Sequence, residues 1–368
     1  MKTMYLTYLA SPTHQQVVFD FEALYNNFGE INQKFENIPS YNVTTRINEQ
    51  MGLHLFEKYE LNDKIKILED LAKRGLDLPR DYERFYIPKK TGGLREINAP
   101  NIQLANHLRT VKDTFEETFL CKAHDSAYAY VKGRSILDAV KEHQKNGSNW
   151  FLKLDIKNFF DNCNEEFIIK QLNQVYPFAL MDEQLLRDLI TPGLLEDRLP
   201  QGTPLSPFLT NMIMVPIDVA IMKFLMEQKT YFIYTRYADD IIISSEFNFD
   251  WKAIQDGISD ILEELTPFEI KTQKTRYGSR AGRNWNLGLM LNKDNNITVG
   301  HKKKERCRAM IYSFMKDYSE GNFWSKHDIQ VMLGLFAYYK MVENAYFENI
   351  IQKYNKKFNL DFYEITKL

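Results

Sequence analysis

The chain has 368 residues, 44% of them hydrophobic and 14% aromatic, with 12 Pro, 16 Gly and a formal net charge of −2. This composition excludes a disordered or fibrous chain and provides for a large apolar core in one large domain or two to three lobes. Three scattered cysteines, Cys121, Cys163 and Cys307, exclude a cysteine-ligated metal site and read as thiols of a reducing compartment.

Taken in chain order, Met1 to Ala10 holds one Lys and too short an apolar stretch for a signal peptide. No segment approaches the apolar length of a membrane span, so a cytoplasmic protein with no membrane partner is expected. Residues 1–80 read as a polar N-terminal helical extension, in which Ile65, Leu68, Leu71 and Leu76 mark an amphipathic helix. Residues 81–300 mix short apolar strands with helices. Within them, 291–300 reads as a loop or hairpin between lobes. Residues 301–368 are helical in pattern, with Cys307, Ile311, Phe314 and Tyr318 on one face and Met332, Phe336 and Tyr339 on another.

Charge is uneven along this order. Lys271, Lys274, Arg276, Arg280 and Arg283 follow one another with no acid between them, and Lys302, Lys303, Lys304, Arg306 and Arg308 are broken only by Glu305. Either run alone reads equally as a solvated face; two runs flanking a candidate site point to phosphate.

That site is a set of carboxylates. In YFIYTRYADDIIISS, Tyr231 to Ser245, two strand-like apolar runs flank Ala238-Asp239-Asp240, the pattern of a tight hairpin. Adjacent acids at such a tip repel, and a divalent cation relieves the repulsion. In FLKLDIKNFFD, Phe151 to Asp161, Asp155 ends a short apolar strand. It reads either as a helix N-cap or as the strand-end carboxylate that metal-dependent phosphoryl transfer requires. Two Mg²⁺ ions about 4 Å apart need carboxylates from separate strands, which these segments supply.

These segments resemble successive blocks of prokaryotic reverse transcriptases, in the family's order. The blocks are FYIPKKTGGLREINAP (from Phe85), AYAYVKGRSILDAVKEH (from Ala127), FLKLDIKNFFDN, RLPQGTPLSPFLTNMIM (from Arg198), TRYADDIIIS, FEIKTQKTR (from Phe268) and NLGLML (from Asn286). The resemblance covers about 85 to 291. It implies an α+β right-hand polymerase fold, with an N-terminal extension over 1–80, fingers and palm over 81–300 and a helical thumb over 301–368.

It further implies a site for each block. Asp155, the Ile156 carbonyl, Asp239 and Asp240 would hold two Mg²⁺ ions, with Mn²⁺ able to substitute. Lys89 and Arg95, with Lys90 a weaker candidate, would hold the triphosphate; a charged surface hairpin is the alternative. Phe160 would exclude a ribose 2′-hydroxyl, unless it and Phe159 are simply core. Gln201 and Gly202 would shape the nucleotide pocket, Gly202 by admitting backbone close to the base pair. Lys274 would protonate the leaving pyrophosphate or serve as one more phosphate contact. Leu287 and Gly288 would place the primer. Lys302, Lys303, Lys304 and Arg306 would track duplex phosphates.

The implied partners are an RNA template, expected to be a structured non-coding RNA, the DNA product and dNTPs; a homo-oligomer or a toxin or effector partner is left open. Retrons usually carry Asn-Ala-x-x-His where this chain has Ala139-Val140-Lys141-Glu142-His143, and Val-Thr-Gly where it has Asn286-Leu287-Gly288. The expectation is therefore a retron-like enzyme of the defence-associated or unclassified bacterial groups, acting against phage. The alternatives are a true retron enzyme making RNA-linked single-stranded DNA, or an untemplated or protein-primed nucleotidyl transferase.

Overall fold

Strand alternation builds the centre of the molecule. In the computed structural model, which describes residues 58–89, 92–280 and 285–367 and the paired strands Thr3–Met4 and Phe19–Asp20, four strands form one antiparallel sheet. Lys90 and Arg283 lie outside the described residues. After a hairpin of β1 (Tyr82–Pro88) and β2 (Leu94–Pro100), the sheet comprises β3 (Trp150–Asp155), β4 (Ile233–Tyr237), β5 (Asp240–Ser245) and β6 (Arg276–Ser279), in the order β4-β5-β3-β6.

Successive side chains in a strand face opposite ways. Leu152, Leu154, Ile241 and Ile243 therefore enter one core, while Phe151 and Ile242 enter another. The first core is closed by α4 (Glu165–Leu172), α6 (Ser206–Ile213), α7 (Val215–Met226) and α8 (Trp251–Leu265). Ser206–Met226 corrects one sequence expectation, because by length and composition it could cross a membrane. Here 72% of its most apolar window is buried, so its apolarity is that of a helix packed on all sides.

Helix α1 (Lys58–Leu76) packs through Leu68, Leu71 and Ala72 onto α2 (Ile102–Asp113) and α5 (Glu183–Ile190). The expected face is corrected at its end, since Leu76 is 45% exposed and Gly75 is buried instead. Eight residues from Leu68 carry the chain beyond two full turns, and Leu76 swings out of the stripe that Leu68, Ala72 and Gly75 share. Gly75 sits so close to the His107 ring that a Cβ would meet Nε2 at 2.5 Å.

The second core belongs to the C-terminal helices α9 (His301–Ser319), α10 (Lys326–Val342), α11 (Asn344–Phe358) and α12 (Phe362–Ile365). Cys307, Ile311, Phe314, Met332, Phe336 and Tyr339 are buried in it, and Tyr318 packs at its margin. Two strands of a small sheet, β8 (Leu289–Leu291) and β9 (Ile297–Thr298), join this core through Leu289, Leu291 and Val299 beside them. Helix α3 (Ile136–Lys145) packs into this second core through Leu137 and Val140. Its His143 is fully buried, with Nδ1 2.5 Å from the Ser244 hydroxyl and Nε2 2.8 Å from the Thr235 hydroxyl. Burial lowers the imidazole pKa to about 3, so it stands neutral as a strut across β4 and β5.

Candidate active site

The hairpin tip is a two-residue turn: Tyr237 pairs with Asp240, leaving Ala238 and Asp239 between. Ala238 has φ +56, a conformation that costs a non-glycine residue and persists only where neighbours hold it. The holder is Arg236, wholly buried with Asp218 of α7. Its Nε and Nη2 donate to Asp218 at 2.8 and 2.7 Å, and its Nη1 donates to the Asn211 side chain and the Ala238 carbonyl, both at 3.3 Å. The Tyr234 hydroxyl donates to the same Asp218 at 2.5 Å.

Antiparallel register places Asp155 directly opposite Asp240, and the Ile156 amide donates to the Asp239 carbonyl at 2.9 Å. Strand end and hairpin tip are thereby tied by backbone. Both Asp155 oxygens accept from Lys274 Nζ, at 2.9 and 2.7 Å. Asp240 is paired with Lys153 at 2.9 Å. Asp239 has its pKa raised to about 6, by burial first and then by the charges of Asp240 and Asp155.

Lys153 was not singled out in the sequence. The signal was present, since residues two apart on a strand share a face and a diagonal neighbour is within reach of a long side chain.

A cleft of about 520 Å³ opens over Asp155 and Asp239. Its walls bring together half of the predicted set, adding Lys89, Arg95, Ile156, Phe160, Gln201 and Lys274 to the two acids, with Lys271 besides; Asp240, Gly202, Leu287, Gly288 and the cations from Lys302 to Arg306 do not line it. Lys89 and Arg95 are exposed on the β1–β2 hairpin, which the Lys89 amide closes against the Gly93 carbonyl at 2.9 Å. Of the two phenylalanines, Phe159 is core, 4% exposed and 5.1 Å from the Phe268 ring, while Phe160 is the half-buried one.

Gly202 also serves a closeness within the fold. At φ +119, a Cβ there would lie 2.8 Å from Ile97 Cγ2 and 2.9 Å from the Asn98 carbonyl oxygen. The Asn98 amide also donates to the Gln201 carbonyl at 2.8 Å. The glycine therefore seats strand β2 against the Gln201–Gly202 turn.

Leu287 and Gly288, both at positive φ, turn β7 (Trp285–Asn286) into β8. The expected cationic helix face divides. Lys303 donates to the Gly288 carbonyl at 2.6 Å, and Lys304 pairs with Glu343 at 2.9 Å and lies 4.9 Å over the Tyr346 ring. Those two hold the fold together, while Lys302 and Arg306 are exposed one turn apart.

Carboxylate oxygens are the ligands hard divalent cations take. Yet among the described residues no three acidic or other ligating side chains gather closely enough to hold an ion as they stand. Lysines occupy Asp155 and Asp240, so the donor chemistry fits a metal and the present side-chain pairing must open to admit one.

A strand-end carboxylate opposite a hairpin carboxylate pair, faced by a cationic hairpin across a cleft, defines a nucleotide-polymerising enzyme of the right-hand architecture. The family described as reverse transcriptase (RNA-dependent DNA polymerase) matches residues 87–312, and the chain belongs to that family. It is an RNA-directed DNA polymerase.

The Escherichia coli retron Ec83 reverse transcriptase is 29% identical over 75% of this chain and 87% of that protein. The Escherichia coli retron Ec73 reverse transcriptase is 27% identical over 80% and 94% respectively. Among solved structures, apo telomerase from Candida Tropicalis matches at a TM-score of 0.44 and 13% identity, covering 82% of this chain and 68% of that one.

Proposed function

We infer that this polymerase copies a partner non-coding RNA into DNA by two-metal phosphoryl transfer, and that the synthesis serves defence against phage. The observation that carries the chemistry is the Asp155–Asp240 register with Asp239 at the turn, Asp155 and Asp239 lining a cleft walled by Lys89 and Arg95. Kinship with retron reverse transcriptases supports the copying of RNA into DNA; the partner RNA and the defence role extend that reading.

Asp155, Asp239, Asp240 and the Ile156 carbonyl would hold two Mg²⁺ ions, which supply charge for activating a 3′-hydroxyl and stabilising pyrophosphate. The chain's own groups do the rest. Lys89 and Arg95 neutralise the triphosphate, and Phe160 crowds the sugar where a 2′-hydroxyl would project. Gln201 offers its side-chain amide to the nucleotide. Lys274 gives its ammonium charge to the departing phosphates, Leu287 and Gly288 set the primer strand, and Lys302 and Arg306 meet duplex phosphate.

The test is extension of a primed RNA template with dNTPs and Mg²⁺. The wild type is expected to incorporate label and the Asp239→Ala, Asp240→Ala double variant to incorporate none; equal incorporation refutes the assignment. Sequencing the nucleic acid that copurifies with the chain tests the RNA partner, and plaque counts in cells carrying the gene test the defence role.

A further inference from the structure

The cleft's carboxylates are unequally partnered. Asp155 gives both oxygens to Lys274, at 2.9 and 2.7 Å, and Asp240 is held by Lys153. Asp239 lines the cleft, whereas Asp240, tied beneath it, does not.

The two lysines also differ in freedom. Lys153 stands within β3, its backbone paired on both sides by β5 and β6. Lys274 ends a short 3-10 turn, Thr272–Lys274, and its side chain is 46% exposed while that of Asp155 is 8% exposed. The backbone behind Lys274 is fixed by the Lys271 amide, which donates to the Asp155 carbonyl at 2.7 Å. Lys274 is thus a half-exposed cation on a fixed stalk, set against the more buried carboxylate. A metal ion and an ammonium group compete for the same two oxygens, because carboxylate lone pairs are the ligands of both.

We propose that Lys274 is the counter-ion that a divalent metal displaces from Asp155. The inference rests on the two-metal reading above and adds an order of events to it. Until metal arrives, Lys274 neutralises Asp155 and holds it in register opposite Asp240. Once metal takes the Asp155 oxygens, the ammonium group is released into the cleft it already lines, where Lys89 and Arg95 await a triphosphate. Metal loading and the presentation of a cation to the leaving phosphates become one event.

The test uses the full chain after chelation, without nucleotide or nucleic acid. Mn²⁺ binding is followed by electron paramagnetic resonance, and acylation of Lys274 by an amine-reactive reagent is followed by mass spectrometry along the same titration. Lys274→Met is expected to bind Mn²⁺ about fivefold more tightly, the scale of one partly exposed ion pair removed from competition. Lys271→Met removes the same charge from the same wall and is expected to shift affinity by less than half as much, because its side chain is not on the Asp155 oxygens. Lys274→Arg, which keeps a competing cation, is expected to bind as the wild type does. In the wild type, Lys274 acylation is expected to rise as metal loads. Equal shifts in the Lys271 and Lys274 variants, or Lys274 reactivity that does not rise, would overturn the proposal. These measurements need no polymerisation, so failure of dNTP incorporation, which sinks the functional reading, is a separate outcome.

Discussion

Phe159 and Phe160 are neighbours whose rings meet edge to face at 5.7 Å, and both line the cleft, yet Phe159 is buried in the core while Phe160 is only half-buried. Phe160→Ala is expected to lower discrimination against ribonucleotides by about one to two orders of magnitude while leaving dNTP use largely intact. The ratio of kcat/KM for a dNTP and its rNTP measures it, and an unchanged ratio removes Phe160 as the sugar gate.

Asp239 gives a prediction whose sign is fixed by its raised pKa. A carboxyl that titrates at about 6 when folded and near 4 when unfolded releases its proton earlier in the unfolded chain. In chelated protein its contribution to stability is therefore lost as pH rises from about 4 through about 6. Asp239→Asn is expected to stabilise that protein at pH 8 by roughly 2 kcal/mol, with the advantage vanishing towards pH 4. Urea denaturation at both pH values checks it. Metal affinity of the wild type is expected to run the other way, falling as pH drops through about 6, because a protonated carboxyl is a poor ligand.

At the scale of elements, the Asp239–Asp240 hairpin depends on an ion pair outside the cleft. Asp218 and Arg236 are both 0% exposed, so removing one partner strands a charge in the core. Asp218→Ala is expected to cost about 3–5 kcal/mol in chemical denaturation, whereas joint replacement by Leu at 218 and Met at 236 is expected to recover most of it. If the double replacement restores stability but not polymerisation, the guanidinium's bond to the Ala238 carbonyl is what positions the acids. A second element-level test is Gly202→Ala. Positive φ and the contact with Asn98 together are expected to cost roughly 1–3 kcal/mol and to loosen the β1–β2 hairpin, visible as faster hydrogen exchange at the Asn98 amide.

Over the whole molecule, the C-terminal helices are joined to the small sheet by Glu343. It accepts from the Thr298 hydroxyl at 2.8 Å and the Val299 amide at 2.9 Å and pairs with Lys304. Glu343→Ala is expected to lower thermal stability and shorten products. Lys302→Ala and Arg306→Ala are each expected to weaken duplex binding and reduce its salt slope by about one, with stability unchanged.

The sequence made the hairpin, the strand-end Asp155 and the apolar faces of α9 and α10 legible, because each rests on local spacing or turn chemistry. It did not show which cations are free to meet a ligand. Lys302, Lys303 and Lys304 look alike in sequence, and only the fold brings Glu343 and Gly288 to two of them. The same limit hid Lys153 and the Asp218–Arg236 pair, whose partners lie on other elements. Nor does the sequence show that Gly202 is packed against Asn98.

That seat under Asn98 makes the β1–β2 hairpin a lever. Its fulcrum is the Asn98–Gln201 backbone bond, and its far end is where the Lys89 amide meets the Gly93 carbonyl. Some six residues of extended chain give an arm of about 20 Å. A tilt of about ten degrees at the fulcrum thus carries the tip roughly 3 Å across the cleft, the span of one hydrogen bond. A displacement of a few tenths of an ångström at residue 202 is multiplied several-fold by the time it reaches Lys89.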